Sequence, residues 1–155
     1  MLSYLVQHIS EYLSSHGTVI DVILRSDQSL VEEEEMREVL LSFAASAEEG
    51  HPVATIHLVE LADERCEVEV EVEFPVNHAD SEAGSRLWKR AREIVSEISF
   101  TEKCRYLEPE QPPQTGWMLD YHFILEQPGN AEEEQRLADT LRRFSADLGK
   151  LVRLD

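Results

Sequence analysis

The stretch that decides the fold is Cys66 to Phe74, which reads Cys-Glu-Val-Glu-Val-Glu-Val-Glu-Phe. Apolar and acidic residues alternate in it without an exception. Because successive side chains of a β-strand point to opposite faces of a sheet, this alternation predicts a strand with one face on a core. The core face would carry Cys66, Val68, Val70, Val72 and Phe74, and the outward face Glu67, Glu69, Glu71 and Glu73.

The preceding segment, Val53 to Leu61, predicts the hairpin partner of this strand. The core faces decide the register of the pair. A three-residue loop sets Ile56 opposite Val70 on the core face and His57 opposite Glu69 on the outward face, whereas a two-residue loop would set acids against core positions. We therefore expect the three-residue loop.

Hydrophobic periodicity, capping residues and glycines predict the other elements. Apolar residues at helical spacing or in alternation, between turn signals, mark each of them. They are a helix over 2–16, a strand over 18–25, a helix over 29–50 with the capping box Ser29 and Glu32, a helix beginning near Asp80 or Ser81, strands over 103–107 and 117–126, a helix from Asn130 to Gly149, and a short edge strand from Val152 to Leu154.

This order predicts one α+β domain over residues 1–155, with a single, mainly antiparallel sheet of about five strands and the helices on one face. Residues 18–107 have the β-α-β-β-α-β order of a ferredoxin-like fold. An N-terminal helix and a C-terminal strand-helix extension complete it. The segment from Glu108 to Gly116 contains Pro109, Pro112 and Pro113, which predicts a stiff exposed loop.

The chain is strongly acidic, with 32 Asp and Glu against 14 Lys and Arg among 155 residues and a formal net charge of −18. Residues 1–78 hold 17 acids and 3 bases, a net of −14, and residues 79–155 hold 15 acids and 11 bases, a net of −4. A negative field repels nucleic acid and anionic membranes, and it speeds encounter with basic proteins. We therefore expect no nucleic-acid or membrane partner.

The two cysteines, Cys66 and Cys104, belong to no metal-binding or redox motif. Cys66 falls on the core face of its strand, where a free thiol packs as a small hydrophobe. The first sixteen residues lack the features of a signal peptide, and no apolar run is long enough to span a bilayer. The expectation is a cytoplasmic protein with reduced thiols and no cofactor.

The outward sheet face collects residues that could do chemistry. Imidazole and carboxylate groups together can bind a divalent metal or transfer protons, so a metal-dependent or acid–base enzyme built on His57, Glu69, Asp120 and His122 is one hypothesis. Asp21 and Glu71 are predicted on the same face. The sequence contains no phosphate-binding glycine loop, no nucleophile elbow and no zinc-protease motif. The same face also carries apolar residues, predicted as Val19, Ile23, Val59, Met118 and Ile124.

Two further charged clusters can be explained without a function. Arg86, Lys89, Arg90 and Arg92 form the exposed face of the helix that begins near residue 80. The outward glutamates suggest a nucleic-acid mimic, but alternate strand residues place a charge about every 6.8 Å, while a DNA strand carries one about every 3.4 Å. That row therefore has half the charge density that mimicry needs.

The layout resembles two groups in outline. One comprises the acidic RNase E inhibitor proteins of the RraB type, which are ferredoxin-like, and the other the small acidic secretion-chaperone-like proteins, which alternate helices with strand pairs. A helix over 29–49 would depart from the second order. No diagnostic motif carries either resemblance, so neither transfers functional residues to this sequence.

The leading functional hypothesis is a non-enzymatic, acidic protein-binding module, acting as an adaptor, inhibitor or chaperone. It would capture a basic or amphipathic protein through the outward sheet face. The binding residues would be Glu67, Glu69, Glu71, Glu73, His57, Asp120 and His122. The alternatives are the enzyme built on the histidines and carboxylates, the nucleic-acid mimic, and a homodimer joined through the apolar part of the outward face.

Overall fold

The computed structural model describes residues 1–28, 35–48, 50–61, 63–74, 86, 89–91, 93–94, 103–107 and 118–154. Side chains are described for all of these except 26–28, 35–36 and 103–107. The elements with defined bounds are α1 (Leu2–Ser14), β1 (Thr18–Gln28), β2 (Glu35–Ala44), β3 (Val53–Glu60), β4 (Arg65–Glu73), β5 (Lys103–Leu107), β6 (Met118–Glu126) and α2 (Ala131–Val152). Arg86, Lys89 to Ala91, Glu93 and Ile94 are also helical.

The strands form one antiparallel sheet in the order β1-β2-β3-β4-β6-β5. The predicted α+β class and single antiparallel sheet are confirmed, with six strands in the described part of the chain where about five were expected. The inner face carries the core. One of its rows runs Leu41, Ile56, Val70 and Tyr121 across four neighbouring strands, and each of these side chains is at most 1% exposed.

The β3–β4 hairpin has the register that the sequence predicts. Ile56 pairs with Val70 and His57 with Glu69. The turn is closed by the N–H of Leu61, which donates to the carbonyl of Arg65 at 2.9 Å. Glu64 adopts a left-handed φ of 61°, a conformation that a tight loop requires of one residue. The inward and outward sets of β4 are therefore as expected from its alternation.

The predicted helix over 29–50 is wrong, because Glu35–Ala44 is strand β2. Its residues 29–34, including the capping box of Ser29 and Glu32, lie outside the described residues. Val39, Leu41 and Phe43 are buried on the inner face, so this segment also satisfies a period of two. Pairing with β1 on one side and β3 on the other decides between the two periods.

The ferredoxin-like order is consequently not confirmed. The first four strands pair in chain order as an antiparallel meander, and residues 35–44, which that order needs as a helix, are strand β2. Only the second half keeps a split arrangement, in which β6 lies between β4 and β5 and pairs with both. The N-terminal helix and the C-terminal strand followed by a helix are present as predicted.

The helices complete one core cluster on the inner face. Leu5 and Ile9 of α1 and Leu141 and Phe144 of α2 are fully buried in it, together with Ala91. The rings of Phe123 on β6 and Phe144 on α2 pack edge-on, with their centroids 5.4 Å apart. No helix among the described residues is long and apolar enough to span a membrane.

The C-terminal helix begins where the sequence predicts and ends later than predicted. The helix α2 begins as expected, because the Asn130 side chain accepts from the Glu133 N–H at 2.9 Å. It does not end at Gly149 but continues to Val152, so no edge strand forms over 152–154. A Cβ at Gly149 would lie 2.7 Å from His16 Cβ, so this glycine allows a close approach instead of ending the helix.

The first strand contains an irregularity that the sequence does not reveal. The pairing of β1 with β2 shifts between Val19 and Asp21. Val19, predicted on the outward face, therefore packs against the core. A bulge of this kind inserts one extra residue and reverses the faces on one side of it.

Gly149→Ala tests the close approach. Alanine is about 1 kcal/mol better than glycine in a helix, but overpacking against His16 should reverse the sign and cost about 1–3 kcal/mol in the free energy of unfolding. Urea denaturation measures this change. In a His16→Gly background the opposing Cβ is gone, and the penalty should disappear. Stabilisation by Gly149→Ala in the wild-type background would contradict the packing.

Cys66 reports on the inner face of β4. Burial, with a smaller contribution from Glu60, raises the pKa of its thiol to about 12. At pH 8 iodoacetamide should therefore alkylate Cys66 roughly 100-fold more slowly in the native protein than in guanidinium chloride. Peptide mass mapping separates its labelling from that of Cys104. Equal native and denatured rates would place Cys66 outside the core.

Candidate protein-binding face

The sheet has a second face, opposite the helices, which we call the outer face. The outward glutamates of β4 cross its middle as a straight row that we call the acidic ridge: Glu67, Glu69, Glu71 and Glu73. Same-face residues of a strand lie about 6.8 Å apart, so the ridge spans about 20 Å. Strand pairing on both sides holds its direction and spacing.

The neighbouring strands place a regular set of residues beside the ridge. On β3 and β6 respectively, Val59 and Ile124 flank Glu67, His57 and His122 flank Glu69, Thr55 and Asp120 flank Glu71, and Val53 and Met118 flank Glu73. Sequence alone could not join His57 and Glu69 to Asp120 and His122. The adjacency of β4 and β6 brings the two pairs side by side.

The exposure of the predicted binding residues differs along the face. Glu71 and Glu73 are exposed, while Glu67, Glu69, His57 and His122 are half-buried. Asp120 is only 3% exposed. The accessible part of the predicted site is therefore the ridge with its two histidines, and Asp120 lies below the surface that a partner could touch.

Glu38 on β2 belongs to the same face and was missed by the sequence analysis. His57 Nε2 donates to Glu38 Oε2 at 2.6 Å, and Arg25 Nη1 lies 3.7 Å from Glu38 Oε1. The helix predicted over 29–50 removes Glu38 from the sheet, so the sequence analysis does not place it on this face. The signal was available in the alternation of Glu38, Leu40 and Ser42 with buried neighbours.

The charge of the outer face changes toward β5. The strand register places Lys103 beside His122 and Arg105 beside Asp120. The acidic ridge thus runs between a mixed region on β1 and β2, which contains Arg25 and Glu38, and a strand whose outward register positions carry basic residues. Among the described residues, the longest row of carboxylates on the face is therefore the one on β4.

Three other features predicted from the sequence lie away from the acidic ridge or outside the described residues. Arg86, Lys89 and Arg90 are exposed, and Arg90 Nη1 contacts Glu93 Oε2 at 3.2 Å within its own helix. The loop over 108–116 lies outside the described residues. Asp21 is exposed on β1, three strands away from the acidic ridge.

The chemistry available to this face is mainly electrostatic. Within the described part of the chain, no group of three or more His, Cys, Asp or Glu side chains is arranged to hold a metal ion. Carboxylates and imidazoles spaced along a flat sheet can instead accept hydrogen bonds from lysine, arginine and backbone N–H groups. No family model, curated protein or solved structure matches this chain.

The His57–Glu38 hydrogen bond gives a testable contribution to stability. Both side chains are half-buried, at 29% and 19% exposure, so Glu38→Gln should lower the free energy of unfolding by about 1 kcal/mol. Asp139→Asn is the matched control, because Asp139 contacts Arg142 on an exposed helix surface, where a pair is worth about 0.3–0.5 kcal/mol. The free energies of unfolding are compared by chemical denaturation. Equal losses in the two variants would show that the half-buried Glu38 contact contributes no more than an exposed ion pair.

Proposed function

We propose that this chain is a non-enzymatic protein-binding module, an adaptor, inhibitor or chaperone, that holds a basic or amphipathic protein on its outer face. The observation that carries the proposal is the acidic ridge on β4. Four carboxylates in a straight row, with apolar residues and histidines on both sides, form a surface of mixed character. Such a surface suits a partner that offers both positive charge and apolar area.

The spacing of the ridge is close to the side-chain repeat of two kinds of regular segment. An extended chain repeats its same-face residues at the ridge's own spacing of about 6.8 Å. A helix placed along β4 repeats residues of one face every three to four positions, at a rise of 1.5 Å each, which is about 5–6 Å. Either segment could set lysines or arginines over Glu69, Glu71 and Glu73 in turn.

The apolar residues beside the ridge favour an amphipathic partner over a polycation. Val53, Val59 and Ile124 are half-buried on the outer face, as is Met118. Each would lose its remaining exposed area when a partner's apolar side chains cover it. The charges would then select and orient the partner, while the apolar contacts would hold it.

The distribution of charge along the chain also supports this function. The net charge of −14 in residues 1–78 against −4 in residues 79–155 puts the excess in the half that contains β1 to β4. A general adaptation for solubility would not require that bias. A field concentrated on one part of the molecule steers a basic partner toward it.

The corrected assignment of β2 bears on the resemblance to secretion-chaperone-like proteins. A helix over 29–49 would have departed from the order of that group, and Glu35–Ala44 is a strand instead. The four successive strands β1 to β4 still differ from an order that alternates helices with strand pairs, so the resemblance adds no support to the binding function.

Each alternative function has its own test. Calorimetry with zinc, manganese and nickel tests the enzyme, and capture of a nucleic-acid-binding protein that DNA displaces would favour the mimic.

The experiment is a charge reversal on the ridge. The variant Glu69→Lys with Glu71→Lys should weaken capture of basic proteins from a native cell extract at least about tenfold, because it changes the ridge charge by four units. Capture by the wild type should fall as salt rises, since exposed charges are screened. Immobilised protein and quantitative mass spectrometry give both readouts.

The control has the same change of net charge elsewhere. Glu11 lies on α1 and Glu48 in the bend after β2, and both are exposed. The variant Glu11→Lys with Glu48→Lys should retain the captured proteins. Equal loss in both variants would reduce the effect to net charge, and unchanged capture by the ridge variant would remove the outer face from the function.

A further inference from the structure

The strand β1 forms an edge of the sheet with an unusual amount of apolar surface. In the described part of the chain it pairs with β2 alone. Ile20, Val22, Ile23 and Leu24 are 48%, 44%, 42% and 74% exposed, and they are the exposed large hydrophobic residues of the described chain. Long apolar edges invite another strand, and proteins usually protect them with lysine, proline or a cover.

The backbone of this edge is ready to pair. The Val22 N–H donates to Asp21 Oδ1 at 2.9 Å, so it is directed away from β2 and is met by a local side chain. In an antiparallel ladder alternate residues point their N–H and C=O groups to the same side. Leu24 therefore presents its groups to the free edge together with Val22.

The sequence of the edge is self-complementary about Ile23. If a second copy pairs antiparallel about a two-fold axis at Ile23, Asp21 meets Arg25 of the second copy on the outer face. Val22 then meets Leu24 on the inner face, and Ile23 meets its own equivalent. The backbone N–H and C=O groups of Val22 and Leu24 also point toward the free edge. Backbone hydrogen bonding and side-chain pairing therefore favour the same register.

The neighbouring registers lack this match. An axis at Leu24 would set Asp21 opposite Asp27, which places like charges together. An axis at Val22 would set Asp21 opposite Ile23 and Arg25 opposite Val19. Only the axis at Ile23 covers the apolar residues and pairs both charges.

We infer that β1 is a self-association edge, through which two copies of this chain join into one continuous antiparallel sheet centred on Ile23. On pairing, the Val22 N–H exchanges Asp21 for the carbonyl of Leu24 in the second copy, and Asp21 is released to face Arg25. The Arg25 side chain is 60% exposed, and its contact with Glu38, 3.7 Å from Nη1 to Oε1, is longer than a hydrogen bond. The guanidinium can therefore turn toward the second copy. Both copies keep their helices on one side, and the two outer faces become continuous.

The test is the mass in solution over a micromolar concentration series by sedimentation equilibrium. The wild type should reach twice the 17.8 kDa of the chain. Ile23→Lys, which sets two positive charges against each other at the axis, should raise the dimer dissociation constant about 100-fold. A mass of one chain at the highest concentration would overturn the inference.

A charge-swap cycle tests the register itself. Asp21→Arg and Arg25→Asp each create two like-charge contacts by symmetry and should each weaken the dimer about tenfold. The double variant restores opposite charges and should return the dissociation constant to within about twofold of the wild type. Absence of this rescue would overturn the register, and circular dichroism confirms that each variant is folded.

Ile124→Lys separates this edge from the outer face. Ile124 lies on β6, four strands from β1, so its substitution should leave the dimer unchanged. A dimer that Ile124→Lys dissociates and Ile23→Lys does not would be joined through the outer face, against the inference. A variant that loses partner capture and keeps the dimer affects the binding function alone. A variant that loses the dimer and keeps partner capture affects the β1 edge alone, so the two proposals can fail separately.

Discussion

The antiparallel register of the sheet is the constraint on which the rest of the molecule depends. Inner rows such as Leu41, Ile56, Val70 and Tyr121 cross four neighbouring strands as buried side chains, and the helices pack on those rows. A slip of one residue in any strand would turn its whole apolar set to the other face. The burial of this set on one side therefore holds all the pairings at once.

The composition of the outer face follows from the same constraint. Each residue fixed inward on β4 fixes a glutamate outward, so the acidic ridge is as well ordered as the core beneath it. The pairing of β4 with both β3 and β6 then sets His57 and His122 on either side of Glu69. A surface held by strand register can present charges at constant spacing without loops to order, which suits recognition of a regular segment.

Sequence reasoning succeeded where the relevant contacts are close in the chain. The β3–β4 register follows from alternation and loop length, and the cap of α2 from Asn130 and Glu133. It failed where distant contacts decide. Residues 35–44 fit a helical stripe through Val39, Leu40 and Phe43 and a strand through Val39, Leu41 and Phe43, and only their neighbours in the sheet choose between them. The adjacency of Glu69 and His122, the contact of Gly149 with His16 and the burial of Asp120 likewise depend on tertiary structure.

The central claim is that the outer face over β4 receives a basic amphipathic partner. It is tested most directly by mapping backbone amide shifts while a lysine-rich amphipathic helical peptide is added at low and at high salt. The account predicts the largest shifts along β4 and at its neighbours on β3 and β6, around His57, Glu69 and His122, and their loss at high salt. Shifts confined to the helices, or shifts on the face that salt leaves unchanged, would contradict it.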